Sequence, residues 1–505
     1  MALFPGFSRS GFSRSAQWCA WIAAGLLAGC DLGPAYQPDL AAAPAEFRAA
    51  EGTGAVWPEE AWWRGFASPE LTTLIDAARS HNLDLDVAAA RIRQADAQLR
   101  IAGAPLLPSL SGSGGASWQE AGSRTSSATS RIRSGSVDLH SYNMGLSAGY
   151  ELDFWGKHAA SRQSALANAQ FSRFDRQTVA LSVVTNVAST WFSALTLADR
   201  LRVAERNLAD AEQILAVFRG RRDAGTVNDL DVAQQETFVA ASRSQIPNLR
   251  NQMEQALIGL GILTGQPPEA IKIRPGSLTA LALPRVYPGL PSELLTRRPD
   301  VASAEATLRA RHFDTKAARA AFFPTVQLTG SAGYQAAALS QLIGPGGLLL
   351  SLASGLAAPI FDGGTLRGQQ ELAKGRYEEQ LAIYRKAILQ AFTDVDDALT
   401  AWRFTTEQEA LQRQAVERAQ RAATIARAQM AAGTIDIVTV LNVETTLLTN
   451  EDTLVQVRLA RAQALLGLYK AMGGGWRRPD DAAHPGLSPG VLEGAVALPI
   501  GGNVR

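Results

Sequence analysis

The stretch Tyr142-Asn143-Met144-Gly145-Leu146-Ser147-Ala148-Gly149-Tyr150-Glu151-Leu152-Asp153-Phe154 alternates without a break. Its even positions are apolar or aromatic and its odd positions are small or polar. Side chains along a strand point to opposite faces in turn, so the stretch reads as a strand with one apolar face and one small polar face. Helical periodicity dominates nearly everything around it. A long strand in a mostly helical chain needs a reason.

Three more strands of this kind follow from the same alternation. Leu106, Pro108, Leu110, Ala116 and Trp118 are interleaved with Ser109, Ser111, Ser113 and Ser117, ahead of a loop rich in Ser, Thr and Arg at 123–136. Val326, Leu328, Ala332 and Tyr334 alternate with Gln327, Thr329, Ser331 and Gly333, and a fourth run extends from Leu348 to Ile360. The expected strands are about 106–118, 142–154, 324–334 and 348–360. From Lys157 to about Arg222 there is no proline, and Val187, Ala194, Leu201, Leu208 and Leu215 recur every seven residues. That is coiled-coil spacing, and about 65 residues at 1.5 Å each make a rod near 100 Å long. An earlier helix is expected from Ser68-Pro69-Glu70 through Leu99, ended by Pro105 and Pro108.

The second half of the chain repeats the first. An offset of 208 carries Ala224-Gly225-Thr226 onto Ala432-Gly433-Thr434, Glu236 onto Glu444, Gly259-Leu260 onto Gly467-Leu468 and Gly265 onto Gly473. One offset held across more than a hundred residues marks a structural duplication. The boundaries read as a leader 1–29, an extended segment 30–67, repeat one 68–265, a proline-dotted linker 266–289, repeat two 290–473 and a Pro/Gly-rich tail 474–505.

Composition narrows the class. The chain has 505 residues, 46% hydrophobic and 19% charged, with a net charge of +1, which gives no electrostatic footprint for nucleic acid. Five histidines and two cysteines leave little for a metal site or a disulfide framework. Arg9 and Arg14 precede an apolar run from Trp18 to Leu27, the form of a secretory leader. The run ends in Leu27-Ala28-Gly29-Cys30, which resembles the bacterial lipoprotein processing box, with Cys30 as the lipidated first residue of the mature chain. Asp31 follows it; in enteric bacteria an aspartate there is associated with retention at the inner membrane. No cofactor is expected beyond the covalent lipid on Cys30.

Strands of about 13 residues are long enough to cross a bilayer when tilted. Spanning strands must close, because an open edge in lipid leaves backbone groups unpaired. Four strands cannot close a barrel, and a small-residue inner face cannot fill one. Three chains contributing twelve strands satisfy this better than two contributing eight.

The Arg297-Arg298-Pro299-Asp300 run, Ala321-Phe322-Phe323-Pro324 before a strand, the paired Ala-Gly-Thr tips and the Leu-Ala-Gly-Cys box together resemble the TolC-type outer-membrane efflux lipoproteins, the NodT-like outer membrane factors of resistance–nodulation–division pumps. The resemblance implies a mainly α chain with membrane β. Three chains would form a twelve-stranded barrel in the outer membrane of a Gram-negative bacterium, continuing into a long periplasmic α-barrel. It implies an exit duct working with a periplasmic adaptor and an inner-membrane transporter. Both partners come from the resemblance alone.

The helix tips are the places of interest. Gly225 and Gly433 suit the chain reversal, and with Thr226, Val227 and Thr434 they are the expected adaptor-docking positions. Asp223, Asp229, Asp231 and Asp436 would be gathered into rings by threefold repetition, with Arg219, Arg221 and Arg222 beside them, and acidic rings favour cations. Some relatives carry two aspartates where this chain has Thr439 and Asn442, which favours Asp436 or a hydrophobic ring at Ile435 and Ile437 as the constriction. Trp118, Tyr142, Tyr150, Phe154 and Trp155 are the expected membrane-belt aromatics.

Gly145-Leu146-Ser147-Ala148-Gly149 matches the hydrolase G-x-S-x-G pattern, but that chemistry needs a sharp strand-to-helix turn and Ser147 lies within unbroken alternation. No enzyme is expected. The competing reading is a lipid-anchored coiled-coil protein spanning the periplasm without a pore, for which a four-strand set has no use. Cys30→Ser is expected to abolish incorporation of radiolabelled palmitate; labelling that persists in the variant would remove the lipoprotein assignment.

Overall fold

In the computed structural model the described residues are 44, 46–48, 56–121, 137–271, 276–284, 286–344 and 346–479. The leader, Cys30 and Asp31, the stretch 123–136 and the tail beyond 479 lie outside them. The described chain runs α1 (Pro69–His81), α2 (Leu83–Gly103), β1 (Ser109–Ala121), β2 (Val137–Leu152), α3 (Lys157–Asp223), α4 (Asp229–Thr264), α5 (Pro299–Ala320), β3 (Thr325–Ala336), β4 (Leu348–Ala357), α6 (Thr365–Ala431) and α7 (Ile437–Ala471), with short 3-10 turns and a single helical turn at Pro291–Leu294 besides. The described residues form two compact units, and each takes segments from both halves of the sequence: one comprises those within 92–171 and 305–383, the other those within 44–91, 172–304 and 384–479.

The first unit holds the sheet. Its order is β1-β2-β3-β4, antiparallel throughout. The register aligns the two faces that the alternation predicts. Leu110, Ala148, Gly330 and Leu352 stand in one row, and the next row on the opposite face is Ser111, Ser147, Ser331 and Ser351. Hydroxyls of Ser111 and Ser147, and of Ser331 and Ser351, lie 2.8 Å apart. Ser147 therefore sits in mid-strand, as a wall residue. β2 begins five residues earlier than the alternation suggests and β4 stops three residues earlier, at Ala357. β1 and β4 each keep an edge without a strand partner among the described residues.

The second unit is helical. Val187, Ala194 and Leu215 of the seven-residue repeat are buried. The 3-10 turn Trp62–Phe66 is pinned into the same core, with Trp62 stacked on Tyr469 at 4.6 Å and Phe66 edge-on to Phe192 at 5.1 Å. Each such fully buried aromatic contributes about 1.5–3 kcal/mol. Burial alone would push Glu409 towards its neutral form. Arg461, Arg413 and Arg458 outweigh that and hold its carboxyl below the usual range, tying α6 to α7. Buried Arg298 likewise grips Asp300 at 2.6 Å and Asp394 at 2.8 Å, which fixes the start of α5.

One helix expected from 68 to 99 is in fact two. Asn82 leaves the helical conformation (φ −68°, ψ 126°), accepts from Asp84 N–H and Leu85 N–H, and donates through Nδ2 to Leu263 O at 2.8 Å. A side chain that caps one helix and holds the end of another outweighs one more helical turn.

Gly473, Gly474 and Gly475 are all in the left-handed region (φ 80°, 57° and 82°). A Cβ on them would strike the Arg297 carbonyl, Leu181 with Trp62, and the Glu59 backbone in turn. Gly473→Ala is expected to lower stability by more than the roughly 1–2 kcal/mol that left-handed backbone costs a non-glycine residue. Gly368→Ala, on open helix surface in α6, is expected to gain up to about 1 kcal/mol. Thermal unfolding in detergent checks both.

Candidate functional site

The two helix reversals are built alike. At the first, Gly225 (φ 69°) donates its N–H to Arg222 O at 2.8 Å and Thr226 donates its N–H to Arg221 O at 2.9 Å. At the second, Gly433 (φ 73°) donates to Met430 O and Thr434 to Gln429 O, each at 3.0 Å. This is the Schellman closure, which satisfies carbonyls that the helix end leaves open. Both threonine hydroxyls add a bond to the same carbonyl as their own N–H. The expected docking glycines and threonines are exposed, while Val227 is half-buried against the tip core.

The returning helices are capped at equivalent positions, since 228 + 208 = 436. Asn228 accepts from Asp231 N–H at 2.8 Å and Asp231 accepts in return from Asn228 N–H, a reciprocal capping box. Asp436 accepts from Thr439 N–H at 2.8 Å. The Thr439 hydroxyl, then its N–H, hold the Asp436 carboxyl below the usual carboxylate range. Two expected gate acids, Asp231 and Asp436, are thus directed at their own helix ends. Asp223 pairs with Arg222 at 2.8 Å. Asp229, in the first turn of α4, and Asn442, on α7, are exposed.

The expected hydrophobic ring needs correction. Ile437 is buried with Phe218, Val232, Met430 and Val440 in a core shared by both hairpins of the same chain, and Ile435 packs half-buried against it. An isoleucine used to join two hairpins is not available to line a pore in this conformation.

Two arginines join the hairpins. Arg221 donates to Met430 O at 3.0 Å and to Ala431 O at 2.9 Å, so the first tip caps the carbonyl end of α6. Arg427 grips Glu444 through two bonds of 2.5 and 2.8 Å and reaches Asp210 on α3 at 2.8 Å. The paired carboxylates, Glu444 first, push the Arg427 guanidinium's pKa up. The same offset that aligns the tips gives Arg427 a counterpart in Arg219, which meets Glu236 at 2.7 Å. The copies differ in setting: Glu444 is 8% exposed and Glu236 47%.

The aromatic positions fall at both ends of the strands. Trp118 is exposed and stacks on His140 across the β1–β2 register; Tyr142 and Tyr150 share its face. Phe154, just past β2, is exposed. Trp155 is a clamp: its indole N–H donates to Pro324 O at 2.7 Å and its ring stacks on Phe323 at 4.7 Å. Among the described residues no cluster of His, Cys, Asp and Glu is placed to hold a metal ion.

Arg427→Ala would leave buried Glu444 uncompensated and is expected to cost about 3–5 kcal/mol. Arg219→Ala at the exposed copy is expected to cost at most about 1 kcal/mol. Amide hydrogen exchange across the tips separates the two, and equal effects would contradict the asymmetry.

A profile of outer membrane efflux proteins matches residues 74–266 and 290–474. Over 454 residues the chain is 40% identical to the pyoverdine export outer membrane protein OpmQ of Pseudomonas aeruginosa, covering 90% of this chain and 95% of the relative. It is 30% identical to the cation efflux system protein CusC of Escherichia coli, covering 90% and 97%. Among solved structures, the outer-membrane channel OprN superposes with a TM-score of 0.82 at 27% identity, over 88% of this chain and all of that one. The Neisseria gonorrhoeae outer membrane channel MtrE, described in its open state, gives 0.80 at 28% identity, over 89% and 99%. These relatives are channels and exporters, which leaves a pore-free tether and a Ser147 hydrolase without support. The chain belongs to the outer membrane efflux protein family and is an outer-membrane exit duct of efflux pumps.

Proposed function

We propose that three copies close a twelve-stranded barrel through β1 and β4, and that the long helices form the periplasmic part of the same duct. The observation that carries this is the four-stranded sheet with one largely apolar face, one small polar face and two edges unpartnered among the described residues. The Leu110, Met144, Leu146, Leu350 and Leu352 face meets lipid, all five being exposed in the single chain. Trp118, Tyr142, Tyr150 and Phe154 mark the two membrane interfaces. The acyl chain on Cys30 adds a second attachment to the outer membrane.

The tips meet a periplasmic adaptor, which couples the duct to an inner-membrane transporter. Supporting this reading, Leu230 and Val438 occupy equivalent positions, offset by 208, and both are exposed although aliphatic. They lie beside the docking positions Gly225, Thr226, Gly433 and Thr434. The tips also form the resting gate, with Asp229 and Asp436 supplying charge at the entrance. Because Asp436 is a helix cap, its charge is best removed without losing the cap, and asparagine serves both needs. Asp229→Asn combined with Asp436→Asn is expected to weaken cation preference and change closed-state current in planar bilayers. An unchanged current and selectivity would end the gate assignment for these two residues.

A further inference from the structure

A cavity of the helical unit lies where residues 56–63 meet residues 473–477. It measures about 940 Å³. Trp57 and Trp476 stand half-buried in its lining, with Glu59, Gln177, Arg79 and Arg477 around them. Most of the aromatic wall is held rigidly. Trp57 donates its indole N–H to Glu293 at 2.9 Å under the Arg297 guanidinium, and Trp476 packs edge-on to Phe174. Arg79 pairs with Glu60. The side chains of Glu59, Gln177 and Arg477, by contrast, make no hydrogen bond or ion pair among the described residues. Nothing in the efflux reading uses them.

A preformed pocket with aromatic walls and a few converging polar groups is the form that ligand sites take. The groups here define the ligand's chemistry. Flat indole surfaces suit the C–H faces of pyranose rings. Arg477 suits a carboxylate, which guanidinium binds through paired bonds. Glu59 and Gln177 suit hydroxyl, amide and ammonium donors. We propose that this cavity binds the cell-wall glycan, an amino-sugar polymer carrying carboxylate and peptide substituents. The choice rests on the reading that this helical, strand-free unit stands in the periplasm, where that polymer is the abundant ligand of such chemistry. Lipopolysaccharide offers sugars and carboxylates too, but it belongs with the membrane-spanning strands, which are all in the other unit.

Purified full-length protein is incubated with isolated peptidoglycan sacculi and sedimented, with soluble disaccharide-peptide fragments or lipopolysaccharide micelles as competitors. Wild-type protein is expected to pellet with the sacculi and to be displaced by the fragments. Arg477→Glu and Gln177→Leu should each reduce the pelleted fraction at least tenfold, while Arg64→Glu, outside the cavity lining, leaves it unchanged. Absence of wild-type sedimentation, unchanged binding in Arg477→Glu, or equal displacement by lipopolysaccharide overturns the proposal. Bilayer conductance of the same samples keeps the two readings apart. A non-conducting protein that still pellets sinks the duct alone, and a conducting one that does not pellet sinks the glycan site alone.

Discussion

A backbone N–H or C=O inside hydrocarbon has no water to bond, and each one left unpaired costs several kcal/mol. That requirement governs this chain. Its four strands satisfy one another internally through three antiparallel ladders and, among the described residues, leave two edges open. The faces are already largely sorted for a membrane wall, most leucines and the aromatics on one side and most serines on the other. The chain has built a wall segment that is stable only as part of something larger. The strand count, more than any single residue, makes the protein an assembly.

In the helical unit the same sequence unit is used twice, and the two uses have diverged in a physically specific way. The turn closures at Gly225 and Gly433 agree hydrogen bond for hydrogen bond. The ion pairs behind them do not. Arg219 and Glu236 remain near solvent, where screening leaves an ion pair little value. Arg427 and Glu444 have been drawn against α3, where Asp210 completes a partly buried trio. The ion pair of one copy stays within its own hairpin, and that of the other also reaches the neighbouring hairpin. Arg221, bonding the last carbonyls of α6, adds a second fastening in the opposite direction.

Much of this was legible in the residues, and the exceptions have physical reasons. Strict alternation announced the strands, because a two-residue period has no other use. The 208-residue offset announced the paired tips. The break at Asn82 was hidden, since nothing local distinguishes it from a polar position on an amphipathic helix. Its cause is a carbonyl 181 residues away, at Leu263. Asp231 and Asp436 were read as lining acids although Asn228-x-x-Asp231 and Asp436-x-x-Thr439 are also cap spacings; charge drew attention from the backbone they serve. Ile437 was misread because a tip residue is exposed in one hairpin and buried when two hairpins pack together. Arg427 could have been found through its counterpart Arg219, but its burial depends on α3, which no local pattern shows.

The triple-glycine turn carries a consequence for how the protein is made. Gly473 to Gly475 close directly on Arg297, Leu181, Trp62 and the backbone of Glu59, so the last described turn of the chain locks the first. A polypeptide emerging amino end first has no means of closing that lock until its final segment is free. This closure therefore waits until residues 473–475 have been made, which suits a chain bound for the outer membrane. The order of export before closure is written into the distance, along the sequence, between Glu59 and Gly475.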